Sequence, residues 1–236
     1  RNVDLIASRL GDWHQARGEW EKEAECLSVV IEARRRLDGE DHWRTVNGRW
    51  ELQTAQMRSG WTKQQNNDWE EATKLNQSVF RLWQQGQSVK ALPLAKEALD
   101  IRRSLVGEKH PLVALSLFNL AAQYVSMGDH RSALPLYQQA LAINKQALGE
   151  KHPLYAASLN NLAELYRSMG DHRSALPLYQ QALALRKHAL GEKHPDYAQS
   201  LNNLAALYES MGDHRSALPL YQQALALRKQ ALGEKH

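Results

Sequence analysis

Residues 168–184 read SMGDHRSALPLYQQALA, and the same string stands at 126–142 and 210–226. Its glycines, Gly128, Gly170 and Gly212, are 42 residues apart, and a weaker copy, QGQSVKALPLAKEAL, places its glycine at Gly86. A second string, GEKHP, begins at Gly107, Gly149 and Gly191 with the same 42-residue spacing, and GEKH recurs at Gly233. All seven prolines obey the period: Pro93, Pro135, Pro177 and Pro219 form one class, and Pro111, Pro153 and Pro195 the other. Self-similarity at such a period marks a repeat architecture, and it decides the fold before any local reading does. The two glycine classes alternate every 21 residues, so each repeat holds two similar units.

Each unit reads as an amphipathic helix. In LNNLAELY, apolar residues fall at Leu159, Leu162, Ala163 and Tyr166; in ALPLYQQALAL they fall at Ala175, Leu178, Tyr179, Ala182, Leu183 and Leu185. Steps of three and four place these on one stripe of a 3.6-residue helix. Gly170 stands where a left-handed residue ends a helix, and Asp171 where a side chain caps the next one. Pro153 and Pro195 suit a first helical position, whose N–H has no partner in any case. Pro177 lies about one and a half turns inside its helix, where it removes a backbone hydrogen bond.

Leu159, Leu162, Ala163 and Tyr166, then Gly170, Ala175, Tyr179 and Ala182, match the spacing W-x2-L-G-x2-Y then A-x3-F, and so resemble the tetratricopeptide repeat family. Leu159 stands in place of Trp and Tyr179 in place of Phe, and both keep bulk. The 42-residue period and the SLNNLA string resemble kinesin light chain repeats. They also resemble bacterial arrays joined to a caspase-like CHAT peptidase, a nucleotide-binding switch domain or a protein kinase. The resemblance runs from about Gln65 onward. It implies an all-α, right-handed superhelical solenoid of antiparallel helix pairs that binds a protein or peptide. The arms of larger proteins are built this way, and the sequence halting inside its own motif at His236 fits a piece of one.

Residues 1–64 differ. All seven tryptophans lie between Trp13 and Trp83, and all eight tyrosines from Tyr124 onward. A degenerate repeat is still visible. Leu10, Gly11 and His14 echo the motif, Gly18 and Gly39 are 21 apart, and GEDHW at Gly39 echoes GEKHP. We expect a helix over roughly 21–37, another around 43–57, and a polar connection through Lys63, Gln64, Gln65 and Asn66. A Trp-rich N-terminal cap over residues 1–64, followed by the array over 65–236, is the expected organisation, because a solenoid must cover its first apolar face.

Composition narrows the function. Thirty Lys and Arg against 26 Asp and Glu give a net charge of +4 without a basic block, which argues against nucleic acid as a partner. No apolar run approaches the ~20 residues of a membrane span. The single cysteine, Cys26, points to a reducing, cytoplasmic setting. It sits among apolar residues without a basic partner and is expected in the core. His110, His152, His194 and His236 copy one loop position, and His130, His172 and His214 another. Each is alone in its repeat, so we expect solvent-facing loop histidines and no metal site. Neither cofactor nor catalytic site is expected.

The candidate groove follows from the resemblance, which lines the concave side with the first helix of each pair. Residues 128–169 and 170–211 differ at seven of 42 positions, among them Ala157/Gln199, Glu164/Ala206 and Arg167/Glu209. These three pairs lie at i, i+7 and i+10 of the first helix, on the face that holds Asn160 and Asn202. The same face presents Asn76, Phe80 and Trp83, then Leu115, Phe118, Ala122 and Val125. An extended or helical peptide with an apolar anchor at the early end would fit, and asparagines can hold its backbone amides. Kinesin light chain-like repeats use asparagines so, which by resemblance extends to Asn160 and Asn202. Alternatively, the Trp-rich segment folds over the apolar end. The helix from Arg215 to Leu232 ends the array without a polar cap, which favours self-association.

Overall fold

The computed structural model describes residues 2–232, and the side chains of residues 5–230. The GEKH copy at Gly233 lies outside the described residues. The described residues form helices α1 (Asn2–Ala16), α2 (Trp20–Asp38), α3 (Trp43–Ser59), α4 (Lys63–Gln84), α5 (Ser88–Val106), α6 (Pro111–Ser126), α7 (His130–Leu148), α8 (Pro153–Ser168), α9 (His172–Leu190), α10 (Pro195–Ser210) and α11 (His214–Leu232). Pairs α4–α5, α6–α7, α8–α9 and α10–α11 pack antiparallel, and each second helix packs on the first helix of the following pair. The result is a solenoid of helix pairs.

Alanines at the crossings set the spacing. Ala91, Ala133, Ala175 and Ala217 recur at 42-residue steps and are buried, as are Ala98, Ala140, Ala182 and Ala224. Larger side chains fill the gaps between layers. Val79, Leu99, Leu117 and Ile143 form one apolar cluster across α4 to α7, and Ala163, Tyr179, Leu204 and Leu207 another across α8 to α10. Punctuation matches the sequence. Asp129, Asp171 and Asp213 accept from the backbone N–H of Ser132, Ser174 and Ser216 at 3.0–3.1 Å, and Gly170 takes φ 77°, open to glycine at little cost.

The expected polar connection through Lys63–Asn66 is instead the first turn of α4. The Thr62 hydroxyl accepts from the Gln65 backbone N–H at 3.2 Å, and the Gln65 side-chain Oε1 accepts from the Thr62 backbone N–H at 2.9 Å. This reciprocal capping box starts a helix from polar residues alone.

The GEKHP histidines also depart from expectation. His110, His152 and His194 cap α6, α8 and α10: each Nδ1 accepts from the backbone N–H two residues on, at 3.1–3.2 Å. Two of them are buried, His110 at 3% exposure and His152 at 2%. They lie beneath α3, which runs along the edge formed by these loops. An Nδ1 that accepts leaves the proton on Nε2. His152 Nε2 then donates to Asn47 Oδ1 at 3.0 Å, and His110 Nε2 to Thr54 Oγ1 at 3.1 Å. Trp50 adds an indole N–H bond to the Ala147 carbonyl at 3.0 Å and an edge contact with His110. Trp43, Asn47, Trp50, Thr54 and Arg58 are spaced by three or four, so one face of α3 makes the whole contact. Gly48 lets α3 approach α2: a Cβ there would sit 2.9 Å from Ile31 Cγ1.

Equivalent buried positions are solved unequally. Asn144 donates to Ser158 Oγ at 2.9 Å, and Arg186 to Ser200 Oγ and the Asp196 carbonyl, both at 2.9 Å. Arg102 is buried at the same position with its guanidinium 5.4 Å from the Trp69 ring, yet its Nε and Nη1 and the hydroxyl of Ser116 have no hydrogen-bond partner, against one unpartnered atom each on Asn144 and Arg186. Unpaired buried polar groups cost roughly 1–3 kcal/mol each. Arg102→Asn, which copies Asn144, should therefore leave stability unchanged or raise it by about 1 kcal/mol in urea unfolding; a loss larger than that would show that Arg102 is satisfied.

Burial lowers His152 to about 4, against a Trp43 backbone hydrogen bond, and lowers His110 to about 4 with Arg102 adding repulsion. The unfolded chain takes up these protons near pH 6.5, and the folded chain refuses them. Stability is thus full above pH 6.5 and declines as pH falls towards 4, by about 1.4 kcal/mol per pH unit per histidine. The variant His110→Asn with His152→Asn keeps capping side chains. Its urea midpoint should vary less over this range than that of the parent chain; parallel curves would refute the assignment.

Candidate peptide-binding wall

Helices α4 and α6 touch, as do α8 and α10, whereas no comparable contact joins α5 to α7 or α7 to α9. Successive first helices thus meet at the α4–α6 and α8–α10 steps, less so at α6–α8, while successive second helices do not, which puts the first helices on the inner side of the solenoid.

The apolar end of this wall is open. Phe80 is 56% exposed and Trp83 44%. Their rings stack with centroids 6.0 Å apart, and the Trp83 indole N–H donates to Ser126 Oγ on the next first helix at 3.0 Å. Among the described residues the Trp-rich segment does not cover them, which removes the alternative in which that segment folds over this end. Leu115 is exposed, whereas Phe118, Ala122 and Val125 are half-buried. Phe118 packs on Tyr137 at 5.6 Å and belongs as much to the core as to the wall. Asn76 is half-buried and already engaged: it donates to the Ala72 carbonyl at 2.9 Å and accepts from Asn119 at 2.7 Å.

The polar end needs one correction. Asn160 is buried, 6% exposed, and its Oδ1 has no hydrogen-bond partner. Its neighbour Asn161 is the exposed asparagine of that repeat. The reason is helical register: Leu159, Leu162, Ala163 and Leu165 turn inward and carry Asn160 partly with them, while 157, 161 and 164 stay outward. Asn202 and Ala206 are half-buried, Ala157 is half-buried, and Gln199 and Glu209 are exposed. Gln199 donates to Asn203 at 2.7 Å and accepts from Arg228 at 2.6 Å.

The charged positions serve the array's own tyrosines. Glu164 pairs with Arg167 on its own helix and accepts from the Tyr179 hydroxyl at 2.5 Å. In the following repeat Ala206 replaces that glutamate, and Glu209, in place of Arg167, accepts from Tyr221 at 2.7 Å. Each tyrosine thus keeps a carboxylate acceptor one turn apart along the helix. Burial, with Glu164 adding, raises Tyr137 to about 12. The Glu164 hydrogen bond holds Arg167 firmly protonated. Tyr221, Asn119, Asn161 and Asn203 were not singled out from sequence, and Tyr179 was read only as a bulky position of the repeat motif. The 42-residue recurrence of Tyr137, Tyr179 and Tyr221 was a usable signal that periodicity alone assigned to the core.

Burial, with Glu25 and Glu23 nearby, raises the Cys26 thiol, the reverse of what a nucleophile needs. Among the described residues no three His, Cys, Asp or Glu side chains converge as a metal site, and no helix is long and apolar enough to cross a membrane.

Comparisons agree with this architecture. The crystal structure of BtubC (BKLC) from P. vanneervenii superposes with TM-score 0.63 at 24% identity, covering 98% of this chain and 92% of that one. A kinesin light chain-like protein of Podosopora anserina with nearly identical TPR-like repeats gives 0.53 at 24% identity, covering 98% and 95%. The apo form of RapI gives 0.60 at 15% identity, covering 97% and 71%. No curated protein matches the chain. The tetratricopeptide repeat profile matches residues 70–146, 120–188 and 175–230. The chain belongs to the tetratricopeptide repeat family.

Proposed function

We propose that the wall of α4, α6, α8 and α10 binds an extended or helical segment of a partner protein, anchored by an apolar side chain at Phe80 and Trp83. The carrying observation is that stacked, exposed pair, held by Trp83 to Ser126 at the open end of the wall. Exposed aromatics that are already ordered lose little entropy on binding and dominate recognition energetics. Further along, Asn161 and the side-chain N–H of Asn203 offer amide groups that read a peptide backbone, while Gln199 is held between Asn203 and Arg228. Glu164 and Glu209 repel a phosphate backbone, which disfavours nucleic acid. The reading assigns the chain neither a reaction nor a cofactor.

Residues 1–64 act as the N-terminal cap in this reading, and α3 ties two successive repeats together. Change in the curvature of the wall is then felt by α3, the property required of an arm that gates a joined peptidase or kinase.

Peptides selected from a random display library on the immobilised chain should carry an aromatic or large aliphatic anchor. Phe80→Ala with Trp83→Ala should weaken them by at least about tenfold, or ~1.4 kcal/mol, with unchanged far-UV circular dichroism. Undiminished binding to that double variant would end the proposal. Leu218 and Leu225 on α11 are exposed, and we assign self-association to this face. Leu218→Glu with Leu225→Glu should abolish the concentration-dependent rise in mass in sedimentation; a persisting rise would place the contact elsewhere.

A further inference from the structure

The junction between α3 and the loop edge encloses a cavity of about 300 Å³, separate from the inner wall. Its size is at the lower end for small-molecule sites. Trp50, Trp69, Ala55, Leu112, Leu148 and Leu154 supply apolar lining. Its polar groups are mostly engaged with one another. Trp50 donates to Ala147, His110 to Thr54, Thr54 to the Trp50 carbonyl, and Asn47 accepts from His152.

Arg58 also lines the cavity, and it too is committed. Its guanidinium lies 3.6 Å over the Trp20 ring, with Nη2 on Glu70 at 2.8 Å and Nε on Asn66 at 3.2 Å. Gln15 and Glu51 on the lining are open to solvent, so Glu23 is the buried exception. It lines the cavity at 8% exposure, and its Oε2 has no hydrogen-bond donor. A buried carboxylate oxygen without a donor carries a desolvation cost that a bound donor would remove.

We propose that this cavity binds a small organic cation with an apolar body, whose N–H group donates to Glu23 while its hydrocarbon part lies against Trp50, Trp69 and Leu154. The charge of the surroundings supports a cation. Glu51 is a second carboxylate on the lining and Asp12 is near enough to act on Glu23; among the described residues these face Arg58, which has Glu70 as its own counter-ion, and Arg102, which lies behind Trp69 and His110 and does not line the cavity. Burial raises the Glu23 carboxyl, with Asp12 and Glu51 adding and Arg58 opposing. A ligand ammonium supplies a donor and a counter-charge to the Glu23 oxygen that Arg58 does not reach, and the indoles of Trp50 and Trp69 give its hydrocarbon part an apolar seat. Binding therefore needs ionised Glu23 and weakens as pH falls.

The probe is benzylamine, with benzyl alcohol as its uncharged counterpart, titrated into the full chain by calorimetry and followed by tryptophan fluorescence. Benzylamine should saturate one site, with benzyl alcohol at least about tenfold weaker. Glu23→Gln should cost benzylamine about tenfold or more while leaving benzyl alcohol unaffected. Leu154→Trp, which fills the cavity without touching Glu23, should abolish binding of both. Equal affinity for the two probes overturns the proposal, as does benzylamine binding unaltered by Glu23→Gln, or no saturable binding up to about 10 mM, an affinity of under ~3 kcal/mol. Should Glu23→Gln lose its fold, retained benzylamine affinity in the Leu154→Trp chain overturns it by itself.

Discussion

A pair of antiparallel helices cannot bury its own apolar surface. Each pair here closes only when the next one is laid against it, and that dependence organises the molecule. Alanines at 91, 133, 175 and 217 let the helices approach, and side chains such as Leu117, Leu159 and Leu201 fill the space between layers. Every apolar cluster spans the junction of neighbouring pairs. Stability is then a sum of neighbour terms. The continuous inner wall is a by-product of this stacking, because first helices meet while second helices splay.

Near-identity of sequence does not make the repeats equivalent. His110, His152 and His194 occupy the same motif and make the same N-cap bond. Two of them lie dry under α3, and the third remains partly open. The same residue is an acid-sensitive latch in one place and a surface cap in the other. The cavity beside α3 arises from the same asymmetry, since a helix lying across a repeating edge cannot match every step of it.

The differences between near-copies also read differently in three dimensions. Glu164/Ala206 and Arg167/Glu209 fall on the inner wall, as a binding surface requires. They also exchange places as partners of Tyr179 and Tyr221. The array thereby preserves a carboxylate acceptor for Tyr179 and for Tyr221, and these charges of the wall are committed within the chain. In the proposed reading, that leaves the stacked aromatics at one end and the amides of Asn161 and Asn203 at the other as recognition groups.

Period, helix type and most helix ends of the array followed from sequence, because they rest on local rules: a 3.6-residue apolar stripe, glycine at left-handed ends, aspartate caps and proline at first positions; the start of α4 and the histidine caps did not. The inner face was legible as a face, and Phe80, Trp83 and Leu115 lie exposed on it. Its register was not, because Asn160 and Asn161 differ by one helical step, and only packing decides which turns inward. Tertiary structure alone decided that α3 crosses the loops of two repeats, since the contacts of Trp50 with Ala147 and of Asn47 with His152 span about a hundred residues. Such contacts depend on how two surfaces meet in space, and no periodicity in the chain encodes that meeting.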